Sequence, residues 1–332
     1  MVGHRRLSEY LRETYGERVA KICIDGGFSC PNRDGTVGVG GCVFCGERGA
    51  GEHISLRNTD PQRSITEQVT AALRKYDEWT ANPAKPAAVP QKFIAYFQNF
   101  SGTYADPTTL RQRYDAALMD ERIVAFVVGT RPDCINNSTT ALLAEYGKSR
   151  RVWVELGLQT ASDVTARRIN RGYPSVRFTE AIEMLTRHGI DAVVHLIIGL
   201  PGENFDDLRR TVDFVNRHRL WGIKIHSLYV MEGTRLAESY RRGEFEPISM
   251  DEYIERAVYV LAHTDPTLIV HRLTGDCPPN RLVAPAWNVE KSEILHRIST
   301  ATTAAGASHS TEYIHSVTGF SHIDLTQQPE RT

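Results

Sequence analysis

Three of the chain's six cysteines fall in one short segment, Cys30-Pro31-Asn32-Arg33-Asp34-Gly35-Thr36-Val37-Gly38-Val39-Gly40-Gly41-Cys42-Val43-Phe44-Cys45. Such crowding points to a metal or cluster site rather than to a disulfide framework. Gly35, Gly38, Gly40 and Gly41, then Gly46, Gly49 and Gly51, let the backbone wrap closely around a bulky ligand. Three thiolates can bind three irons of a cubane cluster and leave the fourth iron open to a cofactor. The alternative is structural zinc, which takes four ligands and would need Cys23 or His53 to complete the set. Cys134 and Cys277 read as ordinary small residues near strand ends. Further along, Asp133, His195, His226, Tyr229 and His271 fall at or within later apolar runs. One histidine in a strand is as a rule a satisfied core residue. Three in succession form a polar lining able to touch a substrate or move a proton. Glu155 sits inside another run, either orienting cofactor groups or Arg171, or paired with Lys224.

These residues need elements to position them. Apolar, β-branched runs cover 19–25, 92–98, 123–130, 152–158, 192–200 and 223–230. Their near-continuous hydrophobicity suits strands buried on both faces of a parallel sheet. Amphipathic stretches alternate with them at 64–79, 107–119, 138–146, 162–170, 176–188 and 206–218, with Ser138 and Ser162 placed as N-caps. This alternation predicts an α/β fold of six strand–helix units, a barrel or a doubly wound sheet. The barrel is favoured because the runs end in polar or glycine-rich residues, such as Gln98-Asn99 and Gly199-Leu200-Pro201-Gly202, that would line its mouth. The expected domains are an N-terminal helix in 1–18, a core in 19–248, an extension packed on it in 249–298, and a flexible tail in 299–332. A helix at 250–263 and a further strand at 267–273 are expected within the extension.

The 332 residues are 41% hydrophobic and 24% charged, with a formal net charge of -1. That balance is ordinary for a globular protein, and it leaves any nucleic-acid partner to a local basic patch. Candidates are His4-Arg5-Arg6, Lys148-Ser149-Arg150-Arg151, Arg217-His218-Arg219 and Arg241-Arg242. No apolar run reaches the ~18–20 residues of a membrane span, and the polar N-terminus lacks a secretory apolar segment. The expectation is a cytoplasmic protein without a membrane partner.

Residues 27–35 together with Gly41-Cys42-Val43-Phe44-Cys45 resemble the radical S-adenosylmethionine (SAM) family of YhcC/YtqA type, which is related to the catalytic subunit of Elongator. Gly129-Thr130-Arg131-Pro132-Asp133, Glu155-Leu156-Gly157-Leu158-Gln159-Thr160, Asn170-Arg171-Gly172, residues 195–203, Lys224-Ile225-His226-Ser227-Leu228 and residues 271–276 match in the same order. The resemblance covers roughly residues 5–295. Its first cysteine spacing is longer than the common CxxxCxxC. It implies a partial (β/α)6 TIM-like barrel with a C-terminal extension, and a [4Fe–4S] cluster on Cys30, Cys42 and Cys45. It also implies reductive cleavage of SAM to a 5′-deoxyadenosyl radical that takes a hydrogen from the substrate. Carried onto this chain, it gives Arg171 to the cofactor's carboxylate and Gln159 to its ribose. Gln98, Asn99 and Ser101 fall at the methionyl amine, where relatives have Gly-Gly-Glu or Gly-Gly-Thr. Ile198 (or its neighbour Ile197), Gly199 and Leu200 fall at the adenine, with Phe44 packing there too. Glu155, His195 and His226 are the candidate catalytic groups. The implied substrate is tRNA at the wobble uridine, and the implied reductant a flavodoxin or ferredoxin. A small molecule such as a porphyrin precursor is the alternative substrate, and a zinc-stabilised binding protein the non-enzymatic one.

Overall fold

Seven parallel strands form one sheet in a computed structural model that describes residues 4–49, 64–82 and 89–304. They are β1 (Val19–Ile24), β2 (Lys92–Phe97), β3 (Ile123–Thr130), β4 (Arg151–Gln159), β5 (Asp191–Ile198), β6 (Gly222–Ser227) and, beyond a short β7 (Val230–Met231), β8 (Ile269–Arg272). Spatial order follows chain order from β1 to β6, and β8 closes the series beside β6. The sheet curls into a barrel left open between β1 and β8.

Helix α1 (Leu7–Tyr15) precedes β1 and touches both edge strands. The chain before it is clasped to the far edge, since the Val270 amide donates to the Arg5 carbonyl at 2.9 Å. Helices α2 (Ile65–Thr80), α3 (Pro107–Ala117), α4 (Asn137–Tyr146), α5 (Asp163–Arg168), α6 (Val176–Arg187) and α7 (Phe205–Asn216) follow the first five strands. Then come α8 (Arg235–Arg241), α9 (Met250–His263), β9 (Leu282–Ala284) and α10 (Lys291–Ala304).

Alternation along each strand decides what the two faces do. On β4, Val152, Val154, Leu156 and Leu158 join the large core under the helices. Trp153 faces the other way, into a smaller core with Val19, Ile94, Val127, Val193 and Ile269, closed below by Leu7 and Leu11 of α1. The barrel interior is therefore plugged with apolar side chains at the N-terminal ends of the strands. Its polar residues, Glu155 and His195 among them, come in the layer above.

The observed elements differ from expectation in four places. The strand expected at 267–273 is a seventh member of the main sheet, so the barrel has six strand–helix units plus one strand. The run 223–230 is two elements, because β6 stops at Ser227 and β7 pairs antiparallel with β9 in a separate sheet. There the Ser227 hydroxyl takes hydrogen bonds from the Gly275 amide (2.9 Å) and the Asn288 side chain (2.7 Å), which fixes the bend. The cap of α4 is Asn136, which accepts from the Thr139 amide, and Ser138 merely donates to it. Ser162 does cap α5. Finally, residues 299–304 belong to α10 rather than to a tail, and the rest of the expected tail lies outside the described residues.

Candidate active site

The cysteine loop runs from the end of β1 and lies over the C-terminal ends of the strands. It is pinned chiefly by hydrogen bonds to backbone. Asn32 donates to the Asn170 carbonyl at 2.6 Å, and Asn170 donates back to the Gly41 carbonyl at 2.7 Å. The Val43 amide donates to the Ile169 carbonyl, and the Leu236 amide to the Val43 carbonyl. Arg33 reaches the carbonyls of Cys45, Gly46 and Glu47, and Arg235 that of Gly41. Gly41 has a φ of +72°, and a Cβ there would strike the Arg33 side chain at 2.8 Å. Only glycine serves at that position. The turn after α5 thus acts as the socket for the loop.

None of the three thiols is in a disulfide. Cys42 is pulled down to about 7 by its hydrogen bond with Cys45, with Arg131 and Arg171 adding to the effect. The same hydrogen bond, with burial, pushes Cys45 up. A thiol so close to ionisation suits a thiolate ligand. Among the described residues no three His, Cys, Asp or Glu side chains converge where a single ion can sit. Cys23 lies within β1, and His53 lies outside the described residues.

Just beyond the end of β2, two buried polar atoms have no hydrogen-bond partner among the described residues: Oδ1 of Asn99 and Oγ of Ser101. Orphaned acceptors at the end of β2 are what a ligand's ammonium requires. Asn99 is oriented by donating to Asp25 at 3.0 Å. Gln98 is half-buried beside it. Phe44 packs with Leu200, Ile169 and Ile197 in a small apolar cluster below the loop. Gly199 is buried with a φ of +93° and turns the chain out of β5.

Two expected contacts are corrected. Ile198 packs in the core under the helices, because alternation turns it outward, and Ile197 takes the inward place near Phe44. Arg171 is fully buried and its guanidinium is already engaged. It donates to the carbonyls of Leu158 (2.5 Å), Thr160 (2.6 Å) and Tyr173 (3.1 Å) and faces Asp163 at 3.4 Å. It therefore ties the end of β4 to the loop's socket instead of offering a fork to a carboxylate. Gln159 has a φ of +61°. With its amide nitrogen turned inward it donates to the carbonyls of Gly157 and Leu158.

Inside the barrel, Glu155 is the hub. Its Oε2 accepts from Tyr96 (2.7 Å), His195 (2.8 Å) and Lys224 (2.7 Å). Nδ1 of His271 stands 3.6 Å from the other oxygen. The pairing of Glu155 with Lys224 is observed, and among the described residues Glu155 makes no contact with Arg171. Burial alone would raise the Glu155 carboxyl, but Lys224, His195, His271 and Lys21 hold it well below the usual range. Burial lowers Lys224 to about 8. Burial and then Lys224 lower His195 to about 4, while burial and the neighbouring His195 push His226 well down. Burial therefore favours the neutral form of both imidazoles. Tyr96 and Asn32, both central to the geometry, were not singled out in the sequence. Tyr96 reads there as one more apolar strand residue, and only the inward period of β2 could have marked it.

The profile of the Radical SAM superfamily matches residues 35–215, and that of the Radical_SAM C-terminal domain matches residues 220–303. The chain belongs to the radical SAM superfamily. It is a radical SAM enzyme, and its cofactors are a [4Fe–4S] cluster and SAM. It is 38% identical over 296 residues to the protein YtqA of Bacillus subtilis, which spans 89% of this chain and 88% of YtqA. A tRNA uridine(34) acetyltransferase of Methanocaldococcus infernus is 27% identical over 183 residues, 53% of this chain but only 33% of that protein. The solved structure of Elp3 from the same archaeon superposes with a TM-score of 0.64 at 18% identity, covering 87% of this radical SAM enzyme and 63% of that chain. No helix among the described residues is long and apolar enough to cross a membrane.

Proposed function

We propose that this radical SAM enzyme carries its cluster on Cys30, Cys42 and Cys45 and modifies tRNA at the wobble uridine. The observation that carries the substrate is the likeness, over half the chain, to a protein named for uridine 34 of tRNA. The fold shared with Elp3 accords with it. The chain spans about a third of that acetyltransferase, so the acetyl transfer itself is no part of the proposal. Held by Cys30, Cys42 and Cys45, a reduced cluster would supply the electron for reductive cleavage of SAM, the chemistry that starts hydrogen abstraction from the substrate.

The residues of this chain then bind, orient and exclude water. Asn32, Arg33 and Asn170 hold the loop so that its thiols need not order it themselves. Asn99 and Ser101 receive the methionyl amine. Ile197, Leu200 and Phe44 give the adenine an apolar wall, and Gln159 stands at the ribose. Glu155 and His195 form the polar floor beneath. An electron donor of flavodoxin or ferredoxin type completes the system.

Several arginines of the basic runs have partners within this chain. Arg150 is engaged with the carbonyls of Ile123 and Leu118, and Arg151 with Asp191. Arg241 and Arg242 pair with Glu232 and Glu244. Nucleoside analysis of tRNA from a strain lacking the protein tests the substrate. An altered wobble uridine is expected, and an unchanged profile contradicts the reading.

A further inference from the structure

The barrel interior holds more positive than negative charge. Lys21 projects inward from β1, Lys224 from β6 and Arg272 from β8. The edge strands β1 and β8 flank the open side of the barrel, so two of these cations stand at its two lips. The inward aim of Arg272 comes from a bulge. Ile223 pairs with Val270 but Lys224 pairs with Arg272, so His271 is an extra residue that resets the alternation of β8. Bulges that re-aim a side chain gather beside functional sites. Arg272 lies near enough to act electrostatically on Lys21, Tyr96, His195, Lys224 and His226.

Against three cations, Glu155 supplies the carboxylate, and its close contact is with Lys224. Among the described residues neither Lys21 nor Arg272 has an ion-pair partner; Lys21 only stands over the Tyr96 ring. Beside them, Nε2 of His226 and both ring nitrogens of His271 are buried without hydrogen-bond partners. Like charges gathered in a low-dielectric interior repel one another and weaken the fold unless an anion completes the set.

We propose that Lys21, Lys224 and Arg272 bind the carboxylate or phosphate of a small co-reactant, separate from the tRNA chain, that enters through the open side of the barrel. His226 completes the donor set. The group is small or terminal, because Lys224 and the His226 nitrogen are closed to solvent and a polymer backbone cannot reach them. This rests on the reading that the radical reaction takes place within the barrel.

The test is thermal unfolding of the full chain with malonate or inorganic phosphate, against sodium chloride of equal ionic strength. With both anions at one equal concentration, an anion present at about ten times its dissociation constant should raise the melting temperature by about 2 °C. A larger response to malonate assigns a carboxylate, and a larger response to phosphate a phosphate. K21M and R272M should lose the response and melt no lower than the wild type without anion, because repulsion is relieved. The proposal is overturned by a wild type that responds to neither anion, or by variants that keep the full response. Variants that fail to fold overturn it as well, since the cations would then be holding the structure together. An unchanged wobble uridine in the deletion strain would remove the tRNA reading and leave the anion response standing. A missing anion response beside an altered uridine would remove only this site.

Discussion

The rim of the barrel and its interior hold their functional groups in opposite ways. At the rim, side chains of Asn32, Arg33 and Asn170 grip backbone carbonyls, and the three thiols play little part in the framework. In the interior, functional side chains hold each other, with Glu155 accepting from Tyr96, His195 and Lys224. A rim built this way can lose a thiol and keep its shape. The interior cannot lose Glu155 without stranding a buried ammonium.

The largest expected effect breaks the interior. Glu155→Ala should cost about 3–5 kcal/mol in urea unfolding, because Lys224 is left buried and unpaired. Glu155→Gln combined with Lys224→Met should cost less than the two single changes together. By contrast, Cys42→Ala in the metal-free protein should change stability by less than about 1 kcal/mol while abolishing iron uptake. Equal losses for Glu155→Ala and Cys42→Ala would erase the distinction.

A pH series sharpens the same comparison. His195 and His271 are pushed down to about 4, and His226 well below its ordinary value, chiefly by burial. The unfolded chain protonates these rings near pH 6.5, and the folded one does not. Stability is therefore present above that pH and is lost as pH falls towards 4, by up to about 4 kcal/mol per pH unit for three such groups. Glu155, held low, adds a loss of the same sign further down, as pH falls below the usual carboxylate range. Urea midpoints at pH 7, 6 and 5 read this directly, and a flat series would contradict it.

Two smaller effects belong to the socket. Arg171→Lys leaves carbonyls at the end of β4 without donors and should cost about 2–3 kcal/mol with reduced iron occupancy. Asn32→Ala should cost about 1 kcal/mol and speed amide exchange around residues 40–45, leaving the barrel floor unchanged.

Much of the fold is legible in the sequence, because parallel strands buried on both faces carry long apolar runs. The run 123–130 coincides with β3. The cysteine loop is legible too, since thiol spacing and glycine content are local properties. What stays hidden depends on distant partners. Arg171 has the spacing of a ligand-binding residue, yet its guanidinium meets carbonyls brought together only by the turn it closes. Ile198 and Ile197 are equal as letters, and the register of β5 alone tells them apart. The inward aim of Arg272 rests on a one-residue bulge that no pattern in His271-Arg272-Leu273 announces.

The most direct measurement is iron, sulfide and zinc content after anaerobic reconstitution, with 5′-deoxyadenosine formation from SAM, in the wild type and in single alanine variants. The wild type should hold about four irons per chain and form 5′-deoxyadenosine. Cys30→Ala, Cys42→Ala and Cys45→Ala should each lose that activity, while Cys23→Ala and Cys134→Ala keep it. One zinc per chain in a colourless protein, or a Cys42→Ala variant with full iron and undiminished cleavage, would contradict the assignment of the cluster to this loop.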